Sequence, residues 1–156
     1  MKRNIHPMLF VLAVLSAPGA AFAAADTSSS GAPVDPVLER AAQATERKDW
    51  KGAQAILAEG LARNPKNADY HNMYAYNLRK GPNPDMSLVF QHYNEALRID
   101  PKHRGANEYL GEAYLMIGNL PKAKEQLAAL DKICLLPCKE YNDLKASIAT
   151  YEAKGK

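Results

Sequence analysis

The chain has 156 residues, of which 47% are hydrophobic and 24% are charged, and its formal net charge is +3. A chain of this length is expected to form one domain with a modest core. Lysine and arginine alternate with glutamate and aspartate along the chain, whereas nucleic-acid-binding proteins usually concentrate their basic residues on one face. We therefore expect no nucleic-acid partner.

The first 23 residues have the order of a secretory signal peptide. Lys2 and Arg3 precede an apolar run, and Ala-Phe-Ala at residues 21–23 provides a cleavage site, with a second option after residue 25. The run is shorter than the roughly 20 residues that a membrane span requires. Loss of Lys2 and Arg3 takes two charges from +3 and leaves the mature chain near +1. We predict a periplasmic or secreted protein with no stable membrane span after cleavage, and the bacterial character of the signal favours the periplasm.

Residues 24–35 are rich in serine, glycine and proline, which is typical of a flexible leader. From residue 36 onward the apolar residues recur with the period of amphipathic helices, and strand-like alternation is almost absent. Asp35 and Pro36 indicate a helix start, since aspartate caps helices and proline is favoured at the first helical position. The predicted helices span residues 36–47, 51–63, 68–80, 85–99, 104–117, 121–133 and 138–153.

Two stretches in the middle of the chain echo each other: LARNPKNADY at residues 61–70 and LRIDPKHRGA at residues 97–106. Their prolines, Pro65 and Pro101, are 36 residues apart, which indicates a repeated pair of helices. The KGPNPD stretch inside the second copy predicts a loop, because its two prolines interrupt a helix.

A third stretch, NEYLGEAYLMIGNLPKAKEQL, gives the clearest repeat. Gly111 and Ala123 lack bulk, so we expect them to let the two helices of one repeat approach closely. Gly118 permits a turn between these helices, and Asn119 can cap the second helix. The stretch resembles the tetratricopeptide repeat in the spacing of Leu110, Gly111, Tyr114, Gly118, Ala123 and Leu127.

The resemblance implies an all-α fold: a right-handed superhelical solenoid of three helix-turn-helix repeats, about 36–67, 68–103 and 104–137, followed by a capping helix at 138–153. The capping helix would cover the last apolar face and present a polar outer face. In this family the first helix of each repeat lines a concave face that holds extended or helical peptides. The repeat register places six residues on that face: Asn72, Tyr76, Arg79, Glu108, Glu112 and Met116.

These six residues combine an amide, an aromatic ring, a cation and two acids, which suits peptide recognition by hydrogen bonds and stacking. Chaperone-binding members of the family hold a C-terminal carboxylate with a cluster of Lys, Asn and Arg, and this chain has no such cluster. Arg79 stands nearly alone, with Lys80 beside it and two acids opposite it. We therefore expect a partner protein or peptide with a positive segment, and self-association through the ends of this short array stays open.

The two cysteines lie in CLLPC, with Cys134 at the predicted end of one helix and Cys138 at the start of the next. The proline between them disfavours a continuous helix, so a tight turn could join the sulfurs in a structural disulfide. A redox catalyst usually carries its reactive cysteine at a helix N-terminus, and zinc requires four ligands. The alternative is a thiol-redox or copper-handling accessory protein, which could draw on Met73, Met86 and Met116, although their helical spacing favours roles in the core.

No arrangement of residues points to catalysis. The serines have no histidine beside them in a known motif, and His71, His92 and His103 fall on separate helices. Glu108 and Glu112 are one helical turn apart and could form a pair in a cleft, but two such carboxylates are expected to be solvated. We predict a non-enzymatic adaptor or assembly factor of the cell envelope, with no catalytic residue, cofactor or bound metal.

Overall fold

The structure, a computed structural model, describes residues 34–155. The described chain consists of seven α-helices joined by short turns, without β-strands, and none of these helices combines the length and apolar composition of a membrane span. The predicted signal peptide and residues 24–33 of the predicted leader lie outside the described residues. The helices are α1 (Pro36–Glu46), α2 (Trp50–Arg63), α3 (Ala68–Lys80), α4 (Met86–Ile99), α5 (Arg104–Met116), α6 (Leu120–Ile133) and α7 (Lys139–Ala153).

Side-chain caps fix where the helices begin. Asp35 accepts hydrogen bonds from the backbone N–H groups of Val37 and Leu38, at 2.8 and 3.3 Å, and Pro36 opens the helix. Asn119 caps α6 in a similar way. Such caps define the first turn of a helix. The predicted helices begin and end within one residue of the observed ones.

The breaks between helices are also where the sequence predicts them. Residues 81–85 form a loop between α3 and α4, within the KGPNPD stretch. Gly118 adopts a positive φ of 77° between α5 and α6, a backbone conformation that glycine tolerates best. Helical structure stops between Ile133 and Lys139, so the CLLPC stretch forms the turn between α6 and α7.

The helices pack as a solenoid. α1, α3 and α5 contact one another in succession and α7 continues this inner row, while α2, α4 and α6 each pack between two neighbours of the row. Three small cores follow one another along the array, around the fully buried side chains of Leu57, Tyr93 and Leu130. The predicted all-α solenoid of three helix pairs and a capping helix is therefore confirmed.

Gly111 makes room for the capping helix. A Cβ atom at this position would lie 2.6 Å from Cδ2 of Leu144 in α7, which is well inside the contact distance of two carbon atoms. The side chain nearest to Gly111 thus belongs to the capping helix, a contact that the repeat pattern does not predict. Ala123 of α6 is fully buried in the same core as Leu144, so both small residues help α7 to close the end of the array.

Candidate functional site

The candidate site lies on the inner face, which we define as the surface of α3, α5 and α7 that α2, α4 and α6 do not cover. The six predicted residues differ widely in how far solvent reaches them. The buried residues are Asn72, Arg79 and Glu108, the half-buried ones are Tyr76 and Glu112, and the exposed one is Met116. A segment lying on the inner face would therefore touch only part of this set directly.

Arg79 joins three helices through its guanidinium group. Its Nη2 lies 2.6 Å from Oε2 of Glu112, its Nε donates to the hydroxyl oxygen of Tyr93 at 3.3 Å, and its Nη1 lies 3.9 Å from Sδ of Met116. The side chain is only 5% exposed, against 27% for Glu112. The ion pair with Glu112 agrees with the expected position of Arg79 opposite the two acids, and together with the bond to Tyr93 it occupies the guanidinium group.

Two tyrosines form an aromatic pair beside Arg79. The ring centroids of Tyr76 and Tyr109 are 4.8 Å apart with the rings inclined at 50°, and the guanidinium carbon of Arg79 lies 5.7 Å from each centroid. Burial, followed by the neighbouring charge of Glu108, raises the pKa of Tyr109 to about 12. The repeat register did not select Tyr109, because successive residues of a helix point in different directions, and its place on the inner face follows from the packing of its ring on Tyr76.

Glu108 is a buried carboxylic acid without a counter-ion. The residue is only 6% exposed, and no described residue donates a hydrogen bond to its carboxylate. Burial, and after it the charges of Glu112 and Asp143, raise the pKa of Glu108 to about 7. The expectation that Glu108 and Glu112 are simply solvated is wrong, since one is buried and the other is ion-paired with Arg79.

Asn72 is a second buried acceptor without a donor. The residue is 5% exposed, and its Oδ1 is the one fully buried side-chain polar atom of residues 34–155 that lacks a hydrogen-bond partner. Its amide nitrogen faces α5, 3.2 Å from where a Cβ of Gly105 would lie, one helical turn before Glu108. We call the group formed by Asn72, Glu108 and Tyr109 the Glu108 site.

The capping helix contributes to this face as well. The hydroxyl of Ser147 lies 3.4 Å from Oε1 of Glu112, and the charges of Glu140 and Asp143 act on Glu108. Lys139, at the start of α7, forms an ion pair with Asp143. The polar side of α7 was expected to face outward, and part of it instead lies beside α5, because the packing of Leu144 on Gly111 sets the rotation of the helix.

Cys134 and Cys138 form the predicted disulfide, with their Cα atoms 5.8 Å apart. The bond joins the end of α6 to the start of α7, and it leaves no free thiol in the described chain. Met73 packs against the first core and Met86 against the second. These methionines therefore do not converge on the cysteines as a copper site would require.

Two of the three histidines in the described chain contact each other although they lie on different helices. Nδ1 of His71 lies 2.9 Å from Nδ1 of His92, and Nε2 of His71 lies 3.0 Å from the carbonyl oxygen of Pro65. Burial, followed by the neighbouring His71, lowers the pKa of His92. His103 caps α5 and its Nε2 lies 3.0 Å from Asp69. No group of three or more His, Cys, Asp or Glu residues suited to a metal ion occurs among residues 34–155.

Comparison with known proteins finds the same fold in proteins of very different sequence. No family model matches the chain, and no curated protein matches it. The type III secretion translocator chaperone SycD of Yersinia enterocolitica has a TM-score of 0.65 and 12% identity, over 76% of this chain and 83% of that one. PcrH in complex with the chaperone-binding region of PopD has a TM-score of 0.65 and 14% identity, over 77% and 91% of the two chains.

The first TPR domain of Spaghetti (RPAP3), bound to the HSP90 peptide SRMEEVD, is similar too, with a TM-score of 0.61 and 17% identity over 75% of this chain and 90% of that one. Identities this low show a shared fold and leave ligands undetermined. The repeat pattern, the seven helices and these neighbours agree with one another. The chain therefore has the fold of the tetratricopeptide-repeat proteins.

Proposed function

We propose that the mature protein is a non-enzymatic protein-interaction module of the periplasm that binds a segment of another protein along its inner face. The observation that carries the proposal is the composition of this face. It combines the aromatic pair Tyr76 and Tyr109 with the buried acceptors Asn72 and Glu108, which have no partner within the described chain. Packed helices hold these groups in place, so the face offers stacking and hydrogen bonding at fixed positions.

Proteins of the same fold support the proposal by analogy. PcrH is bound to a region of PopD, and the first TPR domain of RPAP3 is bound to a peptide of HSP90. In both complexes the ligand is a segment of another protein. Binding of a protein segment along the inner face of this chain would fit the role of an adaptor or assembly factor in the cell envelope.

The periplasmic location rests on the N-terminal sequence. Lys2 and Arg3, the apolar run and the Ala-Phe-Ala site have the order of a signal peptide, and a disulfide between Cys134 and Cys138 agrees with an oxidising compartment. Cell fractionation with N-terminal sequencing tests the location. We expect a chain that starts at residue 24 or 26 in the periplasmic fraction, and a cytosolic chain that keeps Lys2 would contradict the proposal.

Site-specific photo-crosslinking in intact cells tests the binding function. A photoreactive phenylalanine replaces Met116, which is 52% exposed and contacts Arg79 on the inner face. The control carries the same group at Asn94, an exposed residue of α4. We expect Met116→photoreactive-Phe to give a defined adduct whose mass spectrum identifies one segment of one protein. Equal labelling from the two positions, or no adduct from Met116, would contradict binding along this face.

A further inference from the structure

We propose that the Glu108 site binds a single organic cation, the ammonium group of a lysine or the guanidinium group of an arginine in the bound segment. The inference rests on the proposed function and specifies the chemistry of the partner. It follows from three features of the inner face: a largely buried glutamate whose carboxylate receives no hydrogen bond, a buried carbonyl without a donor, and the aromatic ring that follows the glutamate on α5.

The nearby cations of the chain already have partners. Arg79 is held by Glu112 at 2.6 Å, and the ammonium of Lys139 is held by Asp143. Glu108, which is 6% exposed, receives no hydrogen bond from a described residue. A buried charge is costly unless it is paired, so a cation supplied by a ligand gains more at Glu108 than at an exposed carboxylate, where water already solvates the charge.

The carbonyl of Asn72 gives the site its second acceptor. Its Oδ1 is fully buried and has no hydrogen-bond partner, although nearly all buried polar groups in proteins have one. Asn72 lies against Gly105, one turn before Glu108 on α5. An ammonium group carries three N–H donors and a guanidinium group carries five, so one bound cation can donate to the Glu108 carboxylate and, once the Asn72 side chain turns toward it, to this carbonyl, which neighbouring atoms cover in the free protein.

The aromatic ring of Tyr109 selects for organic cations. It follows Glu108 on α5 and its ring packs 4.8 Å from that of Tyr76, centroid to centroid. Alkylammonium and guanidinium groups are attracted to the face of a tyrosine ring. A metal ion would require several further oxygen or nitrogen ligands, and residues 34–155 hold no group of three or more acidic, histidine or cysteine residues that could supply them.

The charge around the site disfavours anions. The negative charges of Glu112, Asp143 and Glu140 raise the pKa of Glu108, against the single positive charge of Lys139, which lowers it. A C-terminal carboxylate or an acidic stretch such as the SRMEEVD peptide bound to RPAP3 would add negative charge where Arg79 is already engaged. The inner face of this chain therefore favours a segment that carries an isolated lysine or arginine.

A peptide selection tests the proposal. Random 12-residue peptides displayed on phage are selected on the oxidised mature protein, on Glu108→Gln, and on the control Glu59→Gln at an exposed site of α2. We expect one basic position to be enriched on the wild type and on Glu59→Gln, but not on Glu108→Gln. Glu108→Gln keeps the shape of the side chain and removes a buried charge, so it is expected to fold, and thermal unfolding verifies this. Tyr109→Leu provides a second variant, on which the same enrichment should weaken.

Fluorescence anisotropy of one selected peptide then measures the energetic coupling between its basic residue and Glu108. Replacement of its enriched lysine by norleucine should weaken binding to the wild type by about tenfold or more and binding to Glu108→Gln by less than about twofold. Peptides that bind without an enriched basic position, or an equal loss on both proteins, would overturn the inference and leave peptide binding intact. Failure to select any peptide would overturn the inference together with the proposed function.

A free diamine distinguishes the source of the cation. We titrate 1,4-diaminobutane into the wild type and into Glu108→Gln, and also use it as a competitor of the selected peptide. A lysine of a bound segment gains affinity from neighbouring contacts of the peptide, so we expect the diamine to bind at least about a hundredfold more weakly than the peptide. Tighter binding of the diamine than of every selected peptide would overturn the assignment to a protein segment.

Discussion

Two regions of the inner row differ in whether their buried polar groups have hydrogen-bond partners. Between α1 and α3, Asn77 is fully buried and its bonds are made: Oδ1 accepts from Thr45 at 2.9 Å and Nδ2 donates to the carbonyl of Met73 at 2.8 Å. Between α3 and α5, Asn72 has a buried oxygen without a donor and Glu108 has no counter-ion. The first region uses its polar groups to hold the helices together, whereas the second leaves its acceptors without hydrogen-bond donors.

The largest expected effect is at Arg79, which lies beside the second region and keeps Glu112 from becoming another unpaired acid. We expect Arg79→Met to lower the free energy of unfolding by about 3 kcal/mol, because it leaves a partly buried carboxylate and the hydroxyl of the buried Tyr93 without their partner. Urea unfolding at pH 7 measures the loss. Lys80→Met is the control at an exposed neighbour, and equal losses for the two variants would contradict the assigned role of Arg79.

Substitution of the two buried asparagines of α3 compares the two regions directly. We expect Asn77→Ala to lower the free energy of unfolding by about 2 to 3 kcal/mol, since it breaks satisfied bonds to Thr45 and Met73 and leaves a cavity. Asn72→Ala removes an acceptor that has no donor, so its cost should stay below about 1 kcal/mol. Chemical unfolding of both variants makes the measurement, and similar losses would remove the contrast between the regions.

The disulfide acts on the second region only indirectly, because it ties α7, which packs against α5, to the end of α6. We expect Cys134→Ser combined with Cys138→Ser to lower the free energy of unfolding by about 2 kcal/mol, from the entropy of the opened loop. Hydrogen exchange should become faster in α7 and stay unchanged in α1. Loss of peptide binding in a well-folded double variant would instead point to a direct role of the cysteines.

Glu108→Gln should stabilise the protein, and only at neutral and alkaline pH. Burial, followed by neighbouring charge, raises the pKa of Glu108 from its usual range to about 7, so the folded state loses stability as pH rises from about 4.5 through 7. With solvent screening allowed for, the gain at pH 8 is about 1 to 2 kcal/mol. At pH 4 the acid is protonated in both states and the gain should vanish. The charged and titratable groups around it are Tyr109, Glu112, Lys139, Glu140 and Asp143.

Thermal unfolding of Glu108→Gln and of wild type across this pH range provides the measurement, with Glu59→Gln as an exposed control. A pH-independent difference would show that Glu108 is ionised normally in the folded protein. Protonation of Glu108 also weakens the binding of a cationic ligand, because the carboxylate must be ionised to pair with the cation. Affinity for a lysine-containing peptide should therefore fall by about tenfold between pH 8 and pH 6 on the wild type, and stay level on Glu108→Gln.

Much of the architecture could be predicted from the sequence because its signals are local. Caps such as Asp35 and Asn119 and the turn at Gly118 depend on only a few neighbouring residues, so the helix ends agree closely with the prediction. The repeat register also brought Arg79 and Glu112 to one face, where they form an ion pair. The apolar period, the caps and the turn residues together thus predicted the order and length of the helices.

The contacts within the site depend on how the helices pack against one another. The spacing of residues along one sequence does not indicate that packing. The choice between Glu108 and Glu112 as the ion-pair partner of Arg79 depends on the position of α5 relative to α3. The position of Ser147 beside Glu112 depends on the packing of Leu144 of α7 against Gly111. The contact of His71 with His92 likewise arises between α3 and α4, so neither side chain indicates it alone.

A titration of the Glu108 carboxyl carbon by ¹³C NMR tests the central claim most directly, with and without a saturating lysine-containing peptide. Without peptide we predict a pKa of about 7, as burial and the surrounding acids require. With peptide the pKa should fall, since a bound cation favours the ionised acid. A pKa near 4.5 in the free protein, or a value that the bound peptide leaves unchanged, would contradict the account.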